Sequence, residues 1–378
     1  MNNWKQNDPA ICLIAGLVLV GAAILVGGIS PTQAQGGDTS TPTGDNAYCL
    51  VCHSEEAQSY TLPDGTELSL AVDTAELAAS VHGEENPEGA VGCVDCHGDA
   101  FPHEGPPPAN MRVFRVERSE GCADCHTDQV EHLADGVHYT ALLAGNLRAA
   151  TCVDCHGGHD VQSLEDARER IPLICGTCHE PVFRQYEQSV HGQALFAGDP
   201  NVPTCVDCHG VHGIAHPTTP QFRNRSPELC ASCHADAELM AEYDITTNVF
   251  NSYLTDFHGT TVALFEQQDP NVPTNKAVCY DCHGVHDIAA VDAENSHVIR
   301  ENLLETCQQC HPDATADFPD AWIGHYPPTL ETQPLLFIVN SFYSILIPGT
   351  IGIFMLLIVT DIIRRIRQRI SKNHERGA

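Results

Sequence analysis

Aromatic side chains are scarce in this 378-residue chain, at 6% with two Trp. Basic side chains are also few, 18 Lys+Arg against 50 Asp+Glu, for a net charge of −32. Between residues 31 and 334 the imbalance sharpens: 11 Lys+Arg face 47 Asp+Glu, and Lys276 is the one lysine. Such a stretch repels nucleic acid and anionic lipid surfaces, so neither is expected to bind it. A basic protein partner would be steered toward it; the plainer alternative is that the acidity only maintains solubility. Long apolar runs are missing from the interior and occur only near the two ends, at 11–29 and 335–360. No region reads as rich in strands.

Cysteine is abundant, and its pattern is narrow. Nine times Cys-x-x-Cys is followed directly by His. The copies are Cys49, Cys52 and His53; Cys93, Cys96 and His97; Cys122, Cys125 and His126; Cys152, Cys155 and His156; Cys175, Cys178 and His179; Cys205, Cys208 and His209; Cys230, Cys233 and His234; Cys279, Cys282 and His283; and Cys307, Cys310 and His311. They take eighteen of the nineteen cysteines, leaving only Cys12, which reads as an apolar filler at the start of the first apolar run. Two thiols and an adjacent imidazole are what covalent attachment of c-type haem uses, with the His as proximal iron ligand. Zinc ribbons pair their Cys-x-x-Cys motifs and need no His after each. Redox dithiols of the thioredoxin kind come singly. On these motifs the chain resembles the multihaem cytochromes c over roughly 47–326.

Residues 31–334 give about 34 residues to each motif. That is too little chain to build an aliphatic core around every cofactor. The nine haems are therefore expected to form the core, wrapped by short helices and long loops. The expected fold is mainly α with long loops, a haem-packed cytochrome domain at 47–328 built from dihaem repeats, followed by a transmembrane helix.

The repeat starts with a His followed by Gly or Tyr. It continues through Cys-x-x-Cys-His-Gly with another His close behind, and ends on a plain Cys-x-x-Cys-His. The first motif looks like the second half of a unit, and His325-Tyr326 like the start of one cut short. Nine histidines are proximal. Five stand at unit starts, His82, His138, His191, His258 and His325; four follow the His-Gly motifs, His103, His159, His212 and His286. Nine distal ligands for nine irons is the expectation. Each plain motif is followed by a unit-start His, which suggests that each pairs with the next, His53 with His82 and so on. His159, His212 and His286 lie too close to their own proximal His to cross its haem and must reach a neighbouring one. Apolar spacing predicts helices over 128–144 and 180–196, carrying His138 and His191.

The ends point to a membrane. Residues 11–29 carry no charge and could span, with Lys5 ahead of them; Thr32-Gln33-Ala34 is a weak cleavage site, so residues 1–30 are a signal peptide or an uncleaved anchor. Residues 31–46 read as a Gly/Thr/Pro-rich linker. The second apolar run gives a transmembrane helix at 335–363. A basic tail follows at 364–378 (Arg364, Arg365, Arg367, Arg369, Lys372, Arg376), which places the tail in the cytoplasm and the haem domain on the far side of the inner membrane.

Bis-histidine ligation leaves iron no open site, so such haems pass electrons. The expected role is a membrane-anchored electron carrier, not an enzyme, with no catalytic residues. The resemblance implies an integral, cytochrome b-like or other quinone-reactive partner. Two alternatives are an enzyme acting on a small nitrogen or sulfur compound, and an independent quinol dehydrogenase. The first would need an open or Lys-ligated haem, and no Cys-x-x-Cys-Lys occurs.

Overall fold

The computed structural model describes residues 46–376, except 55–58, 85, 88, 99–102, 104, 165–166, 322–323, 326–327 and 332. The first apolar run, Cys12 and all but the last residue of the expected linker lie outside the described residues.

Each His-Gly motif is its own five-residue helix: Cys93–His97, Cys152–His156, Cys205–His209 and Cys279–His283. A helix so short needs its ends tied, because its first N–H groups have no partner within it. The Asp at the third position ties the N-terminus. The carboxylates of Asp95, Asp154, Asp207 and Asp281 accept the backbone N–H of Gly92, Thr151, Thr204 and Val278 at 2.6–2.8 Å. The C-terminus turns off through Gly98, Gly157, Gly210 and Gly284, all at φ between 58° and 87°. Only glycine enters that region without strain, and this turn separates the two motif types. Plain motifs lack the Gly. There the chain runs from His126 and His179 into new helices, Thr127–Leu133 and Glu180–Gln188, or finishes the longer helix Pro220–His234.

The two helices expected to carry unit-start histidines are each divided. Thr127–Leu133 is followed by Val137–Leu143, and Glu180–Gln188 by Val190–Phe196. The second break falls at Ser189, whose hydroxyl accepts the N–H of Gly192 at 3.1 Å and donates to Tyr186 O at 2.7 Å. A serine that caps the next helix outcompetes continuation of the last. The apolar period runs across the break, which is why it read as one element. His191 then sits in the first turn of the second helix. The Gly after it is forced: a Cβ on Gly192 would collide with the carbonyl of Tyr186, as would one on Gly83 with Ala78 and one on Gly259 with Tyr253.

Few apolar side chains are buried. Among the described residues they are Leu62, Ala149, Tyr186, Leu195, Val202, Met240, Tyr253, Val262 and Val278. Tyr186 and Tyr253 repeat one role, donating to the carbonyls of Pro203 and Ala277 just ahead of a His-Gly motif, at 2.7 and 3.0 Å. A protein-only core this small leaves room and need for other apolar mass. The one sheet among the described residues is an antiparallel hairpin, Ser59–Thr61 with Glu67–Ser69, outside the repeat. A 43-residue helix, Pro334–Arg376, ends the described chain. Its stretch Pro334–Arg369 includes an 18-residue segment with a mean hydropathy of 2.2 and no burial, so it is long and apolar enough to cross a membrane. The helix runs on through the basic tail without a break.

Candidate haem sites and the row they form

Every proximal histidine faces one other histidine ring. The pairs are His53 with His103, His82 with His126, His97 with His159, His138 with His179, and His156 with His212. They continue with His191 and His234, His209 and His286, His258 and His311, and His283 and His325. The centroid separations run from 5.9 to 6.3 Å. A metal-bound imidazole nitrogen lies about 2.0 Å from the metal and about 1 Å from its own ring centre, so trans imidazoles on one metal have centroids roughly 6 Å apart. The nine gaps therefore fit one six-coordinate iron each. All eighteen expected histidines are used once.

The pairing differs from the sequence expectation. Unit-start histidines do not pair with the preceding plain motif. His82, His138, His191 and His258 face the plain motif of their own unit, downstream. His159, His212 and His286 do reach another motif, but one two places back. The two truncated ends borrow. His53 has no unit start before it and takes His103, and His283 has no further His-Gly motif after it and takes His325. His103, six residues after its motif where its siblings stand three after, is thereby accounted for.

Backbone hydrogen bonds between units set this pattern. Val81, Val137 and Val190, each just before a unit-start His, donate to Val161, Ile214 and Ile288 at 2.8–2.9 Å. Those acceptors lie two residues beyond His159, His212 and His286. Two ring positions tie through their other nitrogen: His53 Nδ1 is 2.8 Å from Leu70 O, and His325 Nδ1 is 3.0 Å from Ser252 Oγ. Each leaves Nε2 toward the gap. Burial lowers the pKa of His191 and His283 to about 4, with the partner ring adding to it. These imidazoles are neutral at pH 7, as metal ligation requires.

The cysteines show how the sites follow one another. The thiols of Cys49 and Cys93, Cys122 and Cys152, Cys175 and Cys205, and Cys230 and Cys279 meet as hydrogen-bond partners. Between these pairs, the first thiol of a plain motif lies close enough to raise the pKa of the second thiol of the motif before it: Cys122 acts on Cys96, Cys175 on Cys155, Cys230 on Cys208, and Cys307 on Cys282. None of the eighteen forms a disulfide. In a haem-bearing chain these sulfurs would be thioethers, and their neighbours link each motif to the next. The nine sites thus form a single row in sequence order, with two contact types alternating. Among the described residues no group of three or more His, Cys, Asp or Glu converges as a zinc site would need.

One recurring device escaped the sequence reading. Arg223 grips Asp281 at 2.6 Å and donates to Lys276 O at 3.0 Å. Arg168 does the same to Asp207 (2.8 Å) and Val202 O (3.0 Å). Arg112, with Arg115 farther off at 3.4 Å, holds Asp154. The signal was available: Arg115, Arg168, Arg223 and Arg300 each stand seven residues before a plain motif. No His-Gly motif follows Arg300 in the sequence, and it pairs with Asp320 instead. Phe222 stacks on His209 at 5.5 Å, and Phe318 lies 5.1 Å from His311. Of the remaining domain histidines, His297 lies 3.4 Å from Asp287, His216 contacts the Thr218 hydroxyl at 2.9 Å, and His132 neighbours His212.

Two known families match parts of the chain. Cytochrome c7 and related cytochrome c matches residues 78–157, and the doubled CXXCH motif matches 198–239. No solved structure matches.

Proposed function

We propose that this chain is a multihaem c-type cytochrome, a carrier of electrons, that holds nine haems in one row between a membrane partner and a soluble acceptor. Haem c supplies one-electron iron chemistry when bound. The chain's own contribution is positional. Eighteen thiols fix the porphyrin edges, and His53, His97, His126, His156, His179, His209, His234, His283 and His311 serve as proximal ligands. His82, His103, His138, His159, His191, His212, His258, His286 and His325 would supply the second imidazole at each site, which would leave no position for a substrate. The observation that carries this reading is the set of nine ring pairs, each spaced for one iron.

In this reading the helix at 334–369 anchors the chain in the inner membrane, with the Arg-rich tail cytoplasmic and the haem domain on the periplasmic or extracellular side. The ninth motif, 23 residues before that helix, receives electrons from an integral, quinone-reactive subunit such as a cytochrome b-like protein. The test uses the whole chain in vesicles of its native membrane. The denatured chain is expected to carry nine haem additions by mass. A quinol-generating substrate should reduce all nine haems, and an added protein acceptor should reoxidise them. Fewer than nine additions, or haems that no quinol reduces, would overturn the corresponding part. Saturable turnover of nitrite, hydroxylamine or tetrathionate by the chain itself would replace the carrier with an enzyme.

A further inference from the structure

The row has two ends of different character. Resting on the electron-carrier reading above, we propose that the first motif is where electrons leave, and that its exposed helix is the docking patch for a small, basic, soluble redox protein.

Three observations converge there. The sulfur contacts place the first motif at the end of the row farthest along it from the ninth, which runs into the membrane helix. The helix Ala47–His53 also presents apolar side chains to solvent: Val51 is 79% exposed and Tyr48 66%. Val51 occupies the position just before the second cysteine. Every other motif has a polar residue there, namely Asp95, Asp124, Asp154, Thr177, Asp207, Ser232, Asp281 and Gln309. An exposed apolar side chain next to Cys52 at this end of the row offers a contact surface.

The third observation is charge. All eleven basic residues of 31–334 lie at or after Arg112. Residues 46–111 hold twelve Asp and Glu and no Lys or Arg. This acidic segment is fastened to the first motif: Val72 donates to His53 O at 2.9 Å, and Asn46 Oδ1 accepts from Cys93 N at 2.8 Å. The end of the row with no cation at all is thus the end farthest from the membrane helix. Acid around an apolar contact selects a cationic partner, speeds encounter, and leaves the apolar centre to hold it. The transfer is one electron, from a reduced haem of this chain to the oxidised metal centre of the partner, with no bond made or broken.

The experiment compares two charge reversals of equal size in the full-length protein. One is Asp64→Lys, Glu76→Lys and Glu84→Lys in the acidic segment fastened to the first motif. The other is Glu301→Lys, Glu305→Lys and Asp317→Lys near the ninth. All six residues are exposed. The probe is a small basic cytochrome c. Binding is measured with both proteins oxidised, and reoxidation is followed after chemical reduction of the chain. The first reversal is expected to weaken binding and slow the second-order rate roughly tenfold at low ionic strength, and the second by less than about twofold. Val51→Asp should weaken binding by about fivefold although it adds negative charge, because an apolar contact is lost. Five other motifs already carry Asp at that position, so haem attachment is preserved. Equal effects of the two reversals would overturn the proposal, since net charge alone would explain them. So would tighter binding by Val51→Asp. A chain that reduces no protein acceptor of either charge would sink the carrier reading itself, which distinguishes the two failures.

Discussion

His159→Ala is expected to open the haem at Cys93, Cys96 and His97, 62 residues upstream, and not the haem beside it in the sequence. The ring of His159 lies 6.1 Å from that of His97. Without it one of nine irons becomes five-coordinate and high spin, and binds one carbon monoxide per chain when reduced. The effect is nearly all-or-none at that site, because no other described ring faces His97 at ligating separation. Location is checked in a background carrying Cys93→Ser and Cys96→Ser, which lacks that haem. There His159→Ala should add no high-spin signal; a new signal would mean that His159 closes a different haem. The same logic applied to His191→Ala should open the haem at His234, which lies 6.3 Å away.

Arg223→Ala should be strongly destabilising, and Arg300→Ala nearly silent. Arg223 and Asp281 are 28% and 25% exposed, and Arg223 also satisfies the carbonyl of Lys276. Its loss leaves a mostly buried carboxylate with only the cap of Val278 N as partner. Breaking a fully buried pair costs about 3–5 kcal/mol; an exposed pair contributes roughly 0.2–1 kcal/mol. A quarter-exposed pair falls between, at about 2 kcal/mol by those bounds. Arg300 and Asp320 are 62% and 51% exposed and belong at the lower bound. The shift in guanidinium midpoint, read from loss of histidine ligation, checks both. Equal shifts would show that the clamp does not depend on its enclosure.

The nine motifs could be read from the sequence because the pattern is local: two thiols and an imidazole within five residues. The distal histidines could be counted, since units repeat and the numbers match. Their partners could not be read. Partner choice rests on hydrogen bonds such as Val137 N to Ile214 O, which any residue can make and no side chain announces. Proximity along the chain favoured His53 with His82, whereas the fold puts His82 against His126. The division of 180–196 was obscured for a related reason: the apolar period continues across Ser189 while the backbone does not. The arginine clamp was written in the spacing but needs the motif's Asp to be seen as a cap before its partner makes sense. The hairpin at 59–69 falls outside the repeat and had no counterpart to compare.

The crossing of ligands between units also sets an order of completion. A chain is made from its N-terminus, and a ring that arrives later cannot close a site before it exists. His82, His138, His191 and His258 precede the plain motifs they face, so those sites are complete once the motif is made. His97, His156, His209 and His283 wait 62, 56, 77 and 42 residues for theirs, and His53 waits 50. Sites therefore finish in two alternating classes, one on arrival and one a unit late. The last ring to arrive, His325, comes only nine residues before the helix that begins at Pro334.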